Sequence, residues 1–309
     1  VELSVVICTH NPKPPYLRRV LDALRHQSLP KDQWELLLID NASSEAVAPS
    51  WDLSWHPNGR HVLEEKLGLT NARARGLVES SGNILVYVDD DNVLAKDYLA
   101  EAARIFQQWP MLGAIGAGIC KGEFEVPPPE SIQPYLAGLA VRELDRSYWS
   151  NLSDFSLALP FGAGLAVRRE VAEDYANKVA TTPLRQMLGR TGKGLGSGDD
   201  SDLAFCAHDL GLGTARFISL QLVHLIPKER LTEDYIVRLN AGFARSGEVL
   251  HALRNHGLRH QDRPPLRQLR YFYNFWKKKG MEKNIYRACE KERQNIRRQI
   301  DEALRQARP

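Results

Sequence analysis

With 309 residues, 43% of them hydrophobic, the chain can bury a substantial core and suits one large domain with an appendage or two smaller ones. Cys8, Cys120, Cys206 and Cys289 are widely spaced and make neither a CxxC pair nor a Cys/His cluster, which argues against structural zinc and a disulfide framework and for free thiols in a reducing compartment. No charged-then-apolar leader opens the sequence and no apolar run reaches the roughly 18 to 20 residues that span a bilayer. The expectation is a cytoplasmic chain without a visible secretion signal, the start at Val1 suggesting a missing leading segment.

The apolar run Leu3 to Thr9 reads as a first strand that ends in Thr9-His10-Asn11-Pro12. Leu17, Val20, Leu21 and Leu24 follow at helical spacings. Trp34 to Ile39 is a second strand closing at Asp40-Asn41-Ala42-Ser43-Ser44, and a third around His61 to Leu63 leads into Gly68 to Gly76, where Thr70 can cap a helix. The strand Leu85-Val86-Tyr87-Val88 ends abruptly in Asp89-Asp90-Asp91-Asn92. Lys96 to Trp109 is an amphipathic helix, Gly113 to Ile119 a buried strand, and Lys121 to Pro134, with its three consecutive prolines, a connector. Tyr135, Tyr148, Trp149 and Phe155 lie among charges ahead of Phe161 to Arg168. Gly189 to Gly198 holds five glycines in ten residues and is expected to be mobile; it runs into Asp199-Asp200-Ser201-Asp202, which opens a helix to about Asp209. Two short strands, Ala215 to Leu220 and Leu222 to Ile226, complete the sheet region, and the rest reads as helical. Strands alternating with helices, with polar residues gathered at the strand exits, make an α/β nucleotide-binding pattern.

The chemistry gathers at those exits. Three adjacent carboxylates repel one another, and oxygen-only ligands at a strand's carboxyl end suit Mg²⁺ or Mn²⁺, although an acidic turn closing a strand has the same composition. Thr9, Asn11 and Asp40 sit past two neighbouring strands, where a carboxylate can accept an N–H from a nucleobase edge; taken alone, Asp40 followed by Asn41 is more often a turn than a ligand. Lys66 and Arg73 can balance a diphosphate at the same mouth. Asp199 and Asp200 open a helix, where the dipole favours acids in any case, but the glycine-rich stretch before them has the composition of a loop that closes over substrate. His224, near a strand end, can offer an imidazole to the same cation or stand as an ordinary core histidine.

The succession Val5-Val6-Ile7-Cys8-Thr9-His10-Asn11, Asp40-Asn41-Ala42-Ser43, Gly68-Leu69-Thr70-Asn71-Ala72-Arg73, Val88-Asp89-Asp90-Asp91-Asn92 and Gly198-Asp199-Asp200-Ser201-Asp202-Leu203 resembles the family 2 glycosyltransferases with the GT-A fold. The resemblance implies a Rossmann-like, mostly parallel mixed sheet flanked by helices over about residues 1–227, with a nucleotide-sugar half to about 120, an acceptor half to 227, and a helical basic extension over 228–309. It implies a nucleotide-sugar donor held by Thr9, Asn11, Asp40, Lys66, Arg73, Asp89 and Asp90, and Mn²⁺ or Mg²⁺ on Asp91; Asp89 and, by its own place near a strand end, His224 are expected to join that cation. Asp200 is similar to the family's general base, and Asp199 stands where glutamate is usual, one methylene shorter toward the acceptor. Gly162 and Gly164 resemble the start of the acceptor-side strand, with Trp149 nearby. The implied reaction is inverting transfer from a nucleoside-diphosphate sugar, a UDP-sugar foremost, to a hydroxyl acceptor.

A sugar-phosphate nucleotidyltransferase would want a glycine-rich basic loop after the first strand, where Thr9-His10-Asn11-Pro12 stands. A non-catalytic nucleotide- or sugar-binding scaffold would not need Asp200 and all three acids of the triplet, and no GxGxxG supports a dinucleotide-binding oxidoreductase. The tail is chemically distinct. From Arg259 onward 15 basic residues face 6 acidic ones, a net of +9, while the first 258 residues carry 26 and 32, a net of −6. Arg267 to Lys279 interleaves aromatic and basic residues, the composition of a segment lying in an anionic membrane interface on the cytoplasmic side; packing on the core or on a second copy are the alternatives. Nucleic acid is disfavoured by the acidic body.

Overall fold

The computed structural model describes residues 1–154, 156–190, 194–255 and 264–306, the side chains of 264, 265, 267, 268 and 306 excepted; Phe155, the middle of the glycine-rich stretch (191–193) and Arg267 therefore lie outside the described groups. In chain order the elements are β1 (Leu3–Thr9), α1 (Pro14–Arg25), β2 (Trp34–Asn41), β3 (Gly59–Glu64), α2 (Leu69–Glu79), β4 (Ile84–Asp89), β5 (Asn92–Leu94), α3 (Tyr98–Gln108), β6 (Leu112–Phe124), β7 (Arg142–Glu143), β8 (Tyr148–Ser150), β9 (Ala166–Arg168), α4 (Arg169–Thr181), α5 (Asp199–Asp209), β10 (Gly213–Ile226), α6 (Glu233–Asn255), α7 (Pro264–Lys277) and α8 (Gly280–Gln306). The chain forms two compact units. One comprises Val1–Glu125, Leu139–Lys178 and Asp200–Ile226; the other comprises Val126–Gly138, Val179–Asp199 and Pro227–Pro309.

The first unit is built on one mixed, mostly parallel sheet in the order β3-β2-β1-β4-β9-β6-β10-β5, with β7 on β6 and β8 on β10. β1 pairs in parallel with β2 and β4, and β2 with β3; β6 and β10 form a second parallel pair. β9 lies antiparallel between β4 and β6, and β5 runs antiparallel along β10. All eight residues of β2 are buried, as expected of a strand covered on both faces. Leu17, Val20, Leu21 and Leu24 bury the inner face of α1, whose prolines stand in the first turn, where no N–H is missed. α2 lies close on β1 at Gly76, where a Cβ would come within 2.4 Å of Val6 Cγ1.

Three local expectations are corrected. α2 starts at Leu69 with Gly68 in the capping position, and the Thr70 hydroxyl is buried without a hydrogen-bond partner, so it does not cap. The two late strands are one strand, β10, whose pairing with β6 is irregular between Phe217 and Gln221. β6 runs on to Phe124 through residues expected in a connector, because Lys121 to Phe124 find backbone partners in Val223 to Ile226 although their side chains are largely solvated.

In the second unit Leu184, Leu188, Val249, Leu250, Ala252, Ile296 and Ile300 form a small core. α6 and α8 are clasped by Arg297, which donates to both oxygens of the buried Glu248 at 2.8 and 2.9 Å. The described end of the glycine-rich stretch rests on α6. A Cβ on Gly242 would lie 2.2 Å from the Leu195 carbonyl, and the Ser197 amide donates to Ser246 Oγ at 3.1 Å. Among the described residues no helix is long and apolar enough to cross a membrane.

Candidate functional site

Parallel pairing carries the ends of β1, β2 and β4 to one edge of the sheet, with Thr9 opposite Asp40 and Cys8 opposite Asp89. The Thr9 hydroxyl donates to the Asp90 carboxylate, which ties the first strand exit to the acidic one. Asn11, in the left-handed region at φ 50°, accepts from the Ser44 amide and hydroxyl, each at 2.8 Å, and so knits the β1 and β2 exits together. The Asp40 carboxylate accepts from the Ser43 and Val47 amides, both at 3.0 Å, closing its own loop at this edge. Lys66 is exposed, and its carbonyl is held by Asn41 at 2.9 Å. The buried Asn41 also accepts from the Gly68 amide at 2.8 Å, so this one side chain fixes the turn from β3 into α2; as a mere neighbour of Asp40 it carried no such signal in the sequence.

The acidic exit turns back at once. After Asp91 the chain becomes β5, where Asn92 stands opposite His224 and the Asp91 carbonyl accepts from the Leu225 amide at 2.8 Å. This return places His224 Nε2 3.5 Å from Asp91 Oδ2, with both side chains buried. His224 Nδ1 lies 2.8 Å from the Leu139 carbonyl, and since a carbonyl only accepts, Nδ1 bears the hydrogen. Nε2 is thus the ring nitrogen turned toward the Asp91 carboxylate, the orientation of a metal-ligating histidine whose other nitrogen is fixed by a backbone oxygen. The spacing is longer than the ~2.7 to 2.9 Å of a charge-assisted hydrogen bond. Adjacent ligands around a small octahedral cation stand ~3 Å apart, so the two groups would close by about half an ångström to share one. The buried Asn92 Oδ1, next in the chain to Asp91, has no hydrogen-bond partner, and Asp89, two residues before Asp91, is half-buried. The acids are felt nearby: burial, with Asp91 and Asp89 adding and Arg216 opposing, pushes the Cys120 thiol up to about 12.

A second cluster forms where α5 begins. Asp200 Oδ2 accepts from the Gly162 amide at 2.7 Å and Oδ1 from the Ser201 amide at 2.8 Å. A Cβ on Gly162 would lie 3.1 Å from Arg73 Nη2 and 3.4 Å from Asp200 Oδ2, so guanidinium, carboxylate and bare backbone converge there. Arg73 is buried, its guanidinium 5.6 Å from the Tyr87 ring centre. Asp199 is buried. Gly164 has a different reason to be glycine: its φ is +70°, its carbonyl accepts from Tyr98 Oη at 2.6 Å, and a Cβ would lie 2.5 Å from that oxygen. Trp149 is not brought to this edge. It is exposed on β8 opposite Ala215, nine residues before His224 along β10.

Arg216 escaped the reading of the sequence, although an arginine within the apolar run Ala215 to Leu220 was its signal. It is 1% exposed, donates from Nε to the Ala117 carbonyl at 3.0 Å and lies 4.5 Å from the centre of the Phe161 ring. Burial, then Arg142, push its guanidinium down to about 10, and Nη2 is buried without a hydrogen-bond partner. A cation thus rests under the residue that precedes Gly162. Elsewhere, Asp174, Cys206 and Asp209 cluster closely enough to suggest a metal, but Lys178 already bridges both carboxylates, at 2.8 Å from Asp209.

Comparison with known proteins accords with this arrangement. Glycosyltransferase AglE of Haloferax volcanii is 29% identical over 92 residues, 29% of this chain and 30% of that protein. The poly(ribitol-phosphate) β-N-acetylglucosaminyltransferase TarS of Staphylococcus aureus is 23% identical over 145 residues, 42% of this chain and 24% of that protein. The match therefore spans less than a third of either relative. In fold, the mannosyltransferase PcManGT of Pyrobaculum calidifontis, solved in complex with GDP-Man and Mn²⁺, superposes with a TM-score of 0.56 at 20% identity, covering all of this chain and 76% of that one. The sequence profile described as glycosyl transferase family 2 matches residues 4–175, more than half of the chain, and the chain belongs to that family.

Proposed function

We propose that the chain transfers a sugar from a nucleoside-diphosphate donor, a UDP-sugar foremost, to the hydroxyl of a glycan or other acceptor, with inversion at the anomeric carbon. The observation that carries this reading is the Asp91–His224 pair at the carboxyl edge of the sheet, its imidazole oriented by the Leu139 carbonyl. Asp91, His224 and Asp89 would hold a divalent cation, Mn²⁺ in preference to Mg²⁺ because imidazole joins the oxygen ligands. Such a cation supplies stabilisation of the charge that develops on the departing diphosphate. Thr9, Asn11 and Asp40 bind the nucleoside, Asp89 and Asp90 lie toward ribose and sugar, and Arg73 with Lys66 neutralises phosphate. The Mn²⁺ and GDP-Man named for PcManGT support a donor of this class without choosing the base for this chain.

Asp200 is the base. Its carboxylate takes the proton of the acceptor hydroxyl, the freed oxygen pair forms the new bond to the anomeric carbon, and the bond to the diphosphate breaks with its electrons on phosphate oxygen. The Gly162 amide holds Oδ2 in place, and Asp199 contributes on the acceptor side. The basic, aromatic C-terminal helices add a place where an anionic membrane surface or a second copy of the chain can bind. Asp200→Asn tests the assignment: transfer falls by about 100- to 10,000-fold while donor affinity is kept. Unchanged turnover in that variant contradicts it.

A further inference from the structure

We propose that the outward face of α7 docks onto an anionic lipid bilayer. This helix divides its bulky side chains between two faces. Tyr271 and Phe275 turn to α8, where Tyr271 stacks on Tyr286 at 5.6 Å and the Phe275 ring meets Lys283 at 4.3 Å and Arg287 at 5.1 Å. Leu266, Leu269, Phe272, Tyr273 and Trp276 lie on the other side, each more than half exposed; Trp276 is 76% exposed, with Lys283 of α8 5.5 Å from its ring. At about 100° per residue these five occupy one arc of about 120°, so they form a continuous stripe. A soluble surface rarely leaves so concentrated an apolar patch uncovered.

The charge pattern selects the occupant. Pro264–Lys277 contains no aspartate or glutamate, Arg270 and Lys277 lie at the edge of the apolar arc, and Lys279 follows shortly after, while Lys278 pairs with Glu282 on α8. The Lys277 ammonium sits 4.0 Å over the Tyr273 ring, its stem along the apolar face. A second copy of the chain docked through this face would set cation against cation. An anionic bilayer takes the apolar arc into the boundary between headgroups and acyl chains and neutralises the basic rim, with tyrosine and tryptophan at the depth they favour. This docking of the C-terminal helices does not depend on the transfer chemistry.

The test is flotation of the full chain with vesicles of phosphatidylcholine alone or mixed with phosphatidylglycerol, at low and high salt. Binding is expected on the mixed vesicles only, weakened by salt, lost in Phe272→Ser/Trp276→Ser and reduced roughly tenfold or more in Lys277→Glu/Lys279→Glu. Failure to float with the mixed vesicles at low salt overturns the proposal, as does retained flotation in the Phe272/Trp276 variant. Light scattering that finds a dimer dissolved by that variant overturns it in favour of a second copy. Nucleoside-diphosphate binding, measured on the same preparations, reads the donor site separately, so failure of either reading leaves the other intact.

Discussion

Gly162 and Gly164 stand two residues apart and should fail in opposite ways when given a methyl group. At Gly162 the added Cβ would meet Arg73 Nη2 at 3.1 Å and Asp200 Oδ2 at 3.4 Å, contacts that force the guanidinium and carboxylate to yield by a few tenths of an ångström. Misplacing a reacting group by 1 Å costs on the order of 100-fold, so Gly162→Ala should slow transfer by roughly 3- to 10-fold. Its effect on stability should stay within about 1 kcal/mol, because the loss of backbone freedom in the unfolded chain offsets the crowding. Gly164 lies at φ +70°, its Cβ would lie 2.5 Å from Tyr98 Oη, and the Tyr98 hydrogen bond to its carbonyl would break. The left-handed conformation costs an alanine about 1 to 2 kcal/mol and overpacking about 1 to 3 more. Gly164→Ala should therefore lower Tm by about 5 to 15 °C. Thermal melts and steady-state turnover on the two variants give the answer. Full activity in Gly162→Ala, or a melt as depressed as that of Gly164→Ala, would refute the convergence of Arg73 and Asp200 on that glycine.

Other consequences follow from groups outside the cluster. Glu248→Ala leaves Arg297 without its partner on α6 and should cost about 2 to 3 kcal/mol, the usual penalty for breaking a buried pair reduced because Arg297 is partly solvated; urea denaturation followed by circular dichroism measures it. Burial first, then Lys31, hold the His56 imidazole down at about 4, and its Nδ1 accepts from the Asn58 amide at 3.2 Å, so the folded state keeps it neutral. The unfolded chain takes up the proton near the ordinary value of 6.5, so this contribution is intact above pH 6.5 and is lost as pH falls from there to about 4. Unfolding as a function of pH should show that decline in the wild type and not in His56→Phe. Glu35 acts lower on the scale: burial raises its carboxyl, but hydrogen bonds from Ser4, Ser81 and Arg60 outweigh it and hold it below the ordinary range. Its stabilisation is complete above the ordinary carboxylate range and lost as pH falls below it, a loss absent from Glu35→Gln.

What could be read ahead of the structure was whatever periodicity and composition encode locally. The apolar runs at Leu3 to Thr9 and Leu85 to Val88, and the helical spacing of Leu17, Val20, Leu21 and Leu24, anticipate β1, β4 and α1 closely. What escaped depends on pairing between distant segments. Lys121 to Phe124 join β6 through the backbone of β10 and carry no apolar signature. Nothing local makes Asn41 the clamp of the Gly68 turn, whereas the turn that Asp40-Asn41 signals is the one in which Asp40 accepts from the amides of Ser43 and Val47. His224 was readable as a ligand for the cation of Asp91, but the route by which they meet was not legible: the chain reverses into β5, a three-residue strand too short for any periodicity to reveal. Arg216 was visible as a charge in an apolar run, but its contact with the Phe161 ring joins segments far apart in the chain.

The central claim is a metal-assisted donor site at Asp91 and His224, and calorimetric titration with UDP, GDP, TDP and CDP, with and without Mn²⁺, tests it most directly. The account predicts that one of these diphosphates binds selectively, that binding requires Mn²⁺, and that Asp91→Ala abolishes it while the variant remains folded. No binding by any of the four in either condition, or undiminished Mn²⁺-dependent binding in Asp91→Ala, would contradict it.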